Sequence, residues 1–135
     1  MKKYIYWIPV IIWMTIIFLF SSRQRVTVSE VELVNFLFFK TLHVIEYAIL
    51  YILLFRAEKY SGTPVTTTYR MAFFLTVLYA ATDELHQTFV PTRDGRVRDV
   101  IIDAIGGAIS WISIRHIQHI LPKKLNNWVA KWQII

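Results

Sequence analysis

Four long apolar blocks constrain this chain more than any other feature of it. They cover residues 4–20, 36–55, 71–90 and 100–121. The first carries no charge. The second is interrupted by Lys40, His43 and Glu46, the third by Asp83, Glu84 and His86, and the fourth by Asp103, Arg115, His116 and His119. A helix needs about 20 mostly apolar residues, roughly 17–25, to cross the hydrocarbon of a bilayer, and each block meets that length. Composition agrees, with 56% hydrophobic and 18% charged residues among 135; soluble domains run near 45–50% apolar and about 25% charged. Mean hydropathy is +0.45. The expected fold is all-α, a single integral membrane domain over residues 1–135. It is a four-helix transmembrane bundle followed by a short amphipathic C-terminal helix lying in the interface.

The first block follows Lys2 and Lys3, as a secretory signal would, but it exceeds the usual h-region of about 7–15 residues and FLFSSRQR lacks a small-x-small cleavage site. An uncleaved anchor is expected, bent slightly by Pro9. There is no cysteine, which excludes disulfides, thiol catalysis and cysteine metal sites.

Charge sets the topology. With Lys2 and Lys3 inside, the inner segments carry Lys2, Lys3, Arg56, Lys59, Arg70, Arg115, Lys123, Lys124 and Lys131. The outer ones carry Arg23, Arg25, Lys40, Arg93, Arg96 and Arg98, so nine basic residues face six. This positive-inside excess places both termini in the cytoplasm. Local signals give the helix limits. Ser29 followed by Glu32 reads as a capping box that starts the second helix near Glu30. Gly62 and Pro64 mark the inner loop, Pro91 ends the third span, Asp94-Gly95 reads as a turn, and Pro122 closes the fourth. In LNNWVAKWQII, Leu125, Trp128, Val129 and Trp132 share one helical face, as an interfacial helix requires.

The polar residues inside the oily blocks are the functional signal. An ionisable side chain costs roughly 2.5–3.5 kcal/mol at the centre of a spanning helix on insertion scales, so a cluster of them calls for a use. Lys40, His43, Glu46 and Tyr47 share a helix face, as do Asp83, His86 and Gln87, and as do Asp99 and Asp103. In the four-span topology Asp83 lies about 10 Å and Asp103 about 5 Å below the outer ends of their helices. Glu46 is deeper, and Ser21 and Ser22 end the first span at the same level. Gly106, Gly107 and Ser110 continue the Asp103 face and read as a packing surface for a neighbouring helix. All four spans thus deliver polar groups to one side.

Above them, Arg93, Arg96 and Arg98 offer forked donors suited to phosphate or carboxylate. The site expected from this pattern has Lys40, Gln87, Arg93, Arg96, Asp99 and Asp103 as ligand-binding residues. His43, Glu46, Asp83, Glu84 and His86 are the acid–base candidates. His43 and Glu46, three apart on one helix, can pair with each other or share a metal ion. With only one such pair evident, the sequence assigns neither metal nor cofactor. A serine nucleophile at Ser21 or Ser22 has no base visible in sequence, and a transporter is disfavoured by the short chain without internal repeat. Arg115, His116 and His119 read as inner-interface residues.

The pieces FLFSS, KTLHVIEYAIL and TDELHQTFVPTRDGRVRDVIIDAIGGAIS resemble, in order and spacing, the VanZ-like family of small multi-pass bacterial membrane proteins. The likeness covers most of residues 16–110. One departure is Thr92, where members commonly have glycine between the proline and the arginine, which bears on the backbone geometry of that turn. The resemblance implies a cell-envelope protein linked to lower sensitivity to teicoplanin-type glycopeptides, without a mechanism. Combined with the polar cluster, it leads us to expect an outward pocket that engages membrane lipids, a lipid-linked wall precursor or a phospholipid headgroup, and no nucleic acid. The alternative is an intramembrane hydrolase or transferase acting on a lipid-linked phosphate, with or without a metal.

Overall fold

The computed structural model describes residues 3–24 and 26–120. Lys2, Arg25, the His119 side chain, Pro122, Lys123, Lys124, Lys131 and the expected interfacial helix lie outside the described residues. A 3-10 turn, Lys3–Trp7, leads into α1 (Ile8–Ser21); α2 (Glu32–Ser61), α3 (Val65–Gln87) and α4 (Val97–Ile120) follow, with no strand among the described residues. Two stretches, Lys3–Ser21 and Glu32–Ser61, are long and apolar enough to cross a membrane.

Helix limits follow local chemistry, not always as the sequence signals predict. Pro9 lies in the first turn of α1, where its missing N–H costs nothing, so it starts the α-helix after the 3-10 turn instead of bending its interior. α2 begins at Glu32 with Val31 at the cap and no side-chain cap bond; the capping box does not form. Ser29 Oγ instead accepts the Val31 N–H at 3.2 Å, and the clasp is made by Asn35. Its Oδ1 accepts the N–H groups of Val28 and Ser29 at 2.8 and 2.9 Å while its Nδ2 donates to Ser29 O at 2.6 Å. At the other end Gly62 takes φ +99 and caps α2 in the left-handed conformation, which a Cβ would penalise.

The turn after α3 also differs from expectation. The chain reverses at Val90–Arg93, closed by Arg93 N–H to Val90 O at 3.1 Å, and not at Asp94-Gly95. Pro91 and Thr92 are its central residues, and Thr92 has φ 70. Proline second and positive φ third is the pattern of a type II turn, whose third position favours glycine. Thr92 holds that conformation despite a β-branched side chain, a strained state. Gly95 serves another need. A Cβ there would run into the Glu84 carbonyl oxygen and the Thr88 side chain, so its bareness lets the loop lie on α3.

Packing centres on α2, whose Tyr47, Leu50, Tyr51, Leu54 and Phe55 repeat at helical spacing and are buried against Val10 and Ile17 of α1, Ala72 and Ala80 of α3, and Ile114 of α4. Small residues let backbones approach, the usual means of joining helices in lipid, where hydrophobic burial gives little drive. A Cβ on Gly106 would meet Val44 O of α2, one on Gly107 would sit 3.1 Å from Thr76 Cγ2 of α3, and Ser110 Oγ donates to Ala48 O at 2.9 Å. The expected small-residue face of α4 is therefore a packing surface wedged between α2 and α3. Large apolar side chains remain on the outside of every helix, among them Ile11, Leu37, Phe74 and Ile112. A surface of that kind fits hydrocarbon better than water.

Candidate functional site

The polar groups gather at the end of the bundle where α1 and α3 finish and α2 and α4 begin. Three sets of contacts build it. In the first, Asp83 Oδ2 accepts from Ser21 Oγ at 2.8 Å and from Gln87 Nε2 at 2.9 Å, all three residues buried. Gln87 Oε1 in turn accepts from Arg93 at 3.2 Å, and the same guanidinium donates to the backbone oxygens of Arg23 at 3.0 Å and Phe20 at 3.3 Å. A helix end leaves carbonyls unsatisfied and carries partial negative charge, so Arg93 closes the α1 terminus. Three of its five N–H groups are engaged by described residues, and two have no described partner. Beside this set, Ser22 Oγ lies 3.0 Å from His86 Nε2, and Phe18 stacks against the imidazole with centroids 4.6 Å apart.

In the second set, buried Glu84 accepts the Arg96 backbone N–H at 3.0 Å, which draws the connecting loop onto α3. The Arg96 side chain is more than half exposed and, among the described residues, pairs with exposed Asp94 Oδ2 at 3.0 Å.

The third set joins α2 to α4. Lys40 Nζ lies 2.7 Å from Asp99 Oδ2; Arg98 Nε lies 3.4 Å from Asp99 Oδ1 and stacks its guanidinium over Phe36 at 5.0 Å. Deeper, His43 Nδ1 approaches Asp103 Oδ1 at 3.3 Å. That approach is close enough for charge attraction but not aligned as a hydrogen bond, and both carboxylate oxygens of Asp103 lack a hydrogen-bond partner among the described residues. Asp103 is 1% exposed. The sequence pairs His43 with Glu46 on its own helix; the structure turns the imidazole toward α4 instead. Glu46 keeps its carboxylate clear of any described hydrogen bond, while its backbone carbonyl accepts from Trp13 Nε1 at 2.9 Å.

A cleft with two lobes opens among these groups. One lobe, about 130 Å³, is cationic and lined by Asn35, Lys40, Gln87, Arg96, Arg98 and Asp99 among others. Its neighbour, about 320 Å³, is mainly apolar and lined by Phe20, Leu42 and Glu46 with Ser21, Arg23 and Gln24. Val26, Phe39, His43 and Arg93 belong to both walls, so the lobes meet there.

The structure therefore brings Lys40, His43, Glu46, Gln87, Arg93, Arg96 and Asp99 to the cleft. It places Asp83, Glu84, His86 and Asp103 behind the lining, where Asp83, Glu84 and His86 hold helices and loop together. Among the described residues no group of three or more His, Asp or Glu is placed to hold a metal ion. Sequence reasoning missed Asn35, which secures the segment carrying Val26 over the cleft. Its one signal was an amide inside VELVNFLFF, where a buried polar group needs partners.

These helices, with a cationic, two-lobed cleft at one end of the bundle, define a helical membrane-type protein. The VanZ/LLP1 family pattern matches residues 6–119, and the chain belongs to that family. Family membership and two helices of membrane-crossing length together point to a membrane protein. No curated protein and no solved structure matches the chain.

Proposed function

We propose that the chain is a multi-pass protein of the bacterial cell membrane whose cleft faces outward and engages an anionic amphiphile, lowering sensitivity to teicoplanin-type glycopeptides. The ligand is a lipid-linked wall precursor or a phospholipid headgroup. The observation that carries this reading is the union of a cationic lobe with an apolar one. Lys40, Arg96 and Arg98 suit a phosphate or carboxylate, and Phe20, Phe39 and Leu42 suit the first part of a lipid chain. A cleft of this size takes a headgroup and its attachment, leaving the rest of the chain in the bilayer.

That orientation goes with four spans, α3 and α4 crossing as well as the first two helices. α3 and α4 have 23 and 24 residues, about 35 Å at 1.5 Å per residue, against a hydrocarbon core of about 30 Å. Their acidic residues turn inward and cluster at the cleft end, which lets both helices meet lipid with apolar faces. The basic excess on the opposite side keeps both termini in the cytoplasm.

The test is teicoplanin sensitivity of a susceptible host expressing wild type, an Arg96→Gln/Arg98→Gln variant, or empty vector. Both side chains are more than half exposed, so the double substitution spares the scaffold. Wild type is expected to reduce sensitivity several-fold and the variant to lose most of that effect. Wild type indistinguishable from empty vector removes the resistance reading. Purified protein should also bind phosphatidylcholine vesicles doped with phosphatidylglycerol or polyprenyl diphosphate, more weakly as salt rises.

A further inference from the structure

The geometry points to a hydrolytic site at the junction of the two lobes, with His43 as general base and Asp103 as its positioning residue, acting on the phosphate ester of a bound lipid. The inference rests on the amphiphile reading above and adds chemistry to it. When a headgroup occupies the cationic lobe and its chain the apolar one, the bond between them lies where the lobes meet. The side chains common to both walls are Val26, Phe39, His43 and Arg93. One of these four is an acid–base group and one a phosphate clamp with two N–H groups to spare.

Three observations single out His43. Its Nδ1 is buried and aimed at Asp103, so the 12% of the side chain that stays exposed belongs to its other atoms, Nε2 among them. Asp103, anchored on α4 one turn below Asp99, has no hydrogen-bond partner on either oxygen among the described residues, and the one ion-pair contact described for it is this imidazole. Packing alone gives no reason to bury a carboxylate so poorly satisfied. A carboxylate behind the Nδ1–H of a histidine, however, fixes the tautomer that presents a basic Nε2 and stabilises the imidazolium that forms. The contact is 3.3 Å and off line, and such bonds are commonly long before substrate binds.

The step balances with water alone. Water attacks phosphorus as Nε2 takes its proton, forming a P–O bond. The P–O bond to the leaving alcohol or phosphate breaks, and the leaving oxygen takes the proton back from the imidazolium. Arg93 meets the phosphoryl oxygens, where charge accumulates.

The experiment uses full-length protein in phosphatidylcholine vesicles containing either phosphatidylglycerol or polyprenyl diphosphate, with binding and release of the phosphate-bearing product measured in each. Turnover of the first identifies a phospholipid substrate, and turnover of the second a lipid carrier. His43→Ala and Asp103→Asn should lower kcat by about 10²–10⁴-fold with KM little changed, and added imidazole should restore part of the His43→Ala loss. Wild type that binds a lipid but turns over neither overturns the catalytic inference and leaves the binding proposal standing. Binding of neither lipid overturns both. Variants that turn over as fast as wild type, or lose activity only in step with melting temperature and without imidazole rescue, mark the pair as an interhelical brace and overturn its role as base.

Discussion

At the end of the bundle where α2 passes into α3, polar and aromatic side chains settle among themselves. Lys3 Nζ donates to Ser61 O at 2.9 Å, Trp7 Nε1 donates to Ser61 Oγ at 3.1 Å, Tyr6 stacks on Tyr60 at 4.5 Å, and Arg56 lies 5.3 Å over the Tyr6 ring. At the opposite end, oxygens of Asp83, Glu84 and Asp103 are buried without hydrogen-bond partners among the described residues, and Thr92 is held at positive φ. The first end looks like an anchor, with cations and rings placed where an interface would satisfy them. The second keeps groups in states that a purely structural end would have relieved. Poorly satisfied polar atoms and backbone strain concentrate where a site is held ready for use.

Substitutions matched across the two ends sharpen that contrast. The largest effect is expected from Asp83→Ala, which strands the Ser21 hydroxyl and the Gln87 amide and loosens Arg93. It should cost about 3 kcal/mol, against about 1 kcal/mol for Ser61→Ala, both read from unfolding in detergent. Next, Glu46→Ala should cut function about tenfold or more at unchanged expression. Glu58→Ala, whose carboxylate accepts from Thr63 Oγ1 at 2.8 Å, should be neutral. Equal losses would mean that the cleft end is no more a site than the other. Asp103→Asn should raise stability by about 1 kcal/mol, because it removes a poorly compensated buried charge; a fall in melting temperature would show that Asp103 is needed for packing. Thr92→Gly should gain about 1 kcal/mol or somewhat less by relieving left-handed strain, and no gain would mean that contacts of the threonine side chain offset it.

Much of this was legible in the sequence, for reasons that also explain what was not. Apolar block lengths give four helices because each must hide its backbone. The spacings of Lys40, His43 and Glu46, and of Asp99 and Asp103, give shared faces because a helix repeats every 3.6 residues. Spacing along one helix cannot name a partner on another. His43 meets Asp103 of α4 instead of Glu46, and Arg93 reaches back seventy residues and more to the carbonyls of Arg23 and Phe20 at the end of α1, because those pairings appear only when helix ends come together. Rival local signals were also settled by packing. Asn35 grips Val28 and Ser29 where the capping box was expected, and the chain reverses at Pro91-Thr92 while Gly95 lies in close approach to α3.

The chain has no cysteine, so a single introduced thiol reports cleanly on access, and Glu46→Cys is the most direct probe of a water-filled, outward cleft. Glu46 lies fourteen residues into α2, about 21 Å from its start, a depth at which a lipid-facing thiol would stay silent. A small, membrane-impermeant methanethiosulfonate reagent applied to intact cells should modify Glu46→Cys and spare Lys59→Cys until the membrane is permeabilised. Silence at position 46 from both sides, or reaction only after permeabilisation, would contradict the outward cleft and the function built on it.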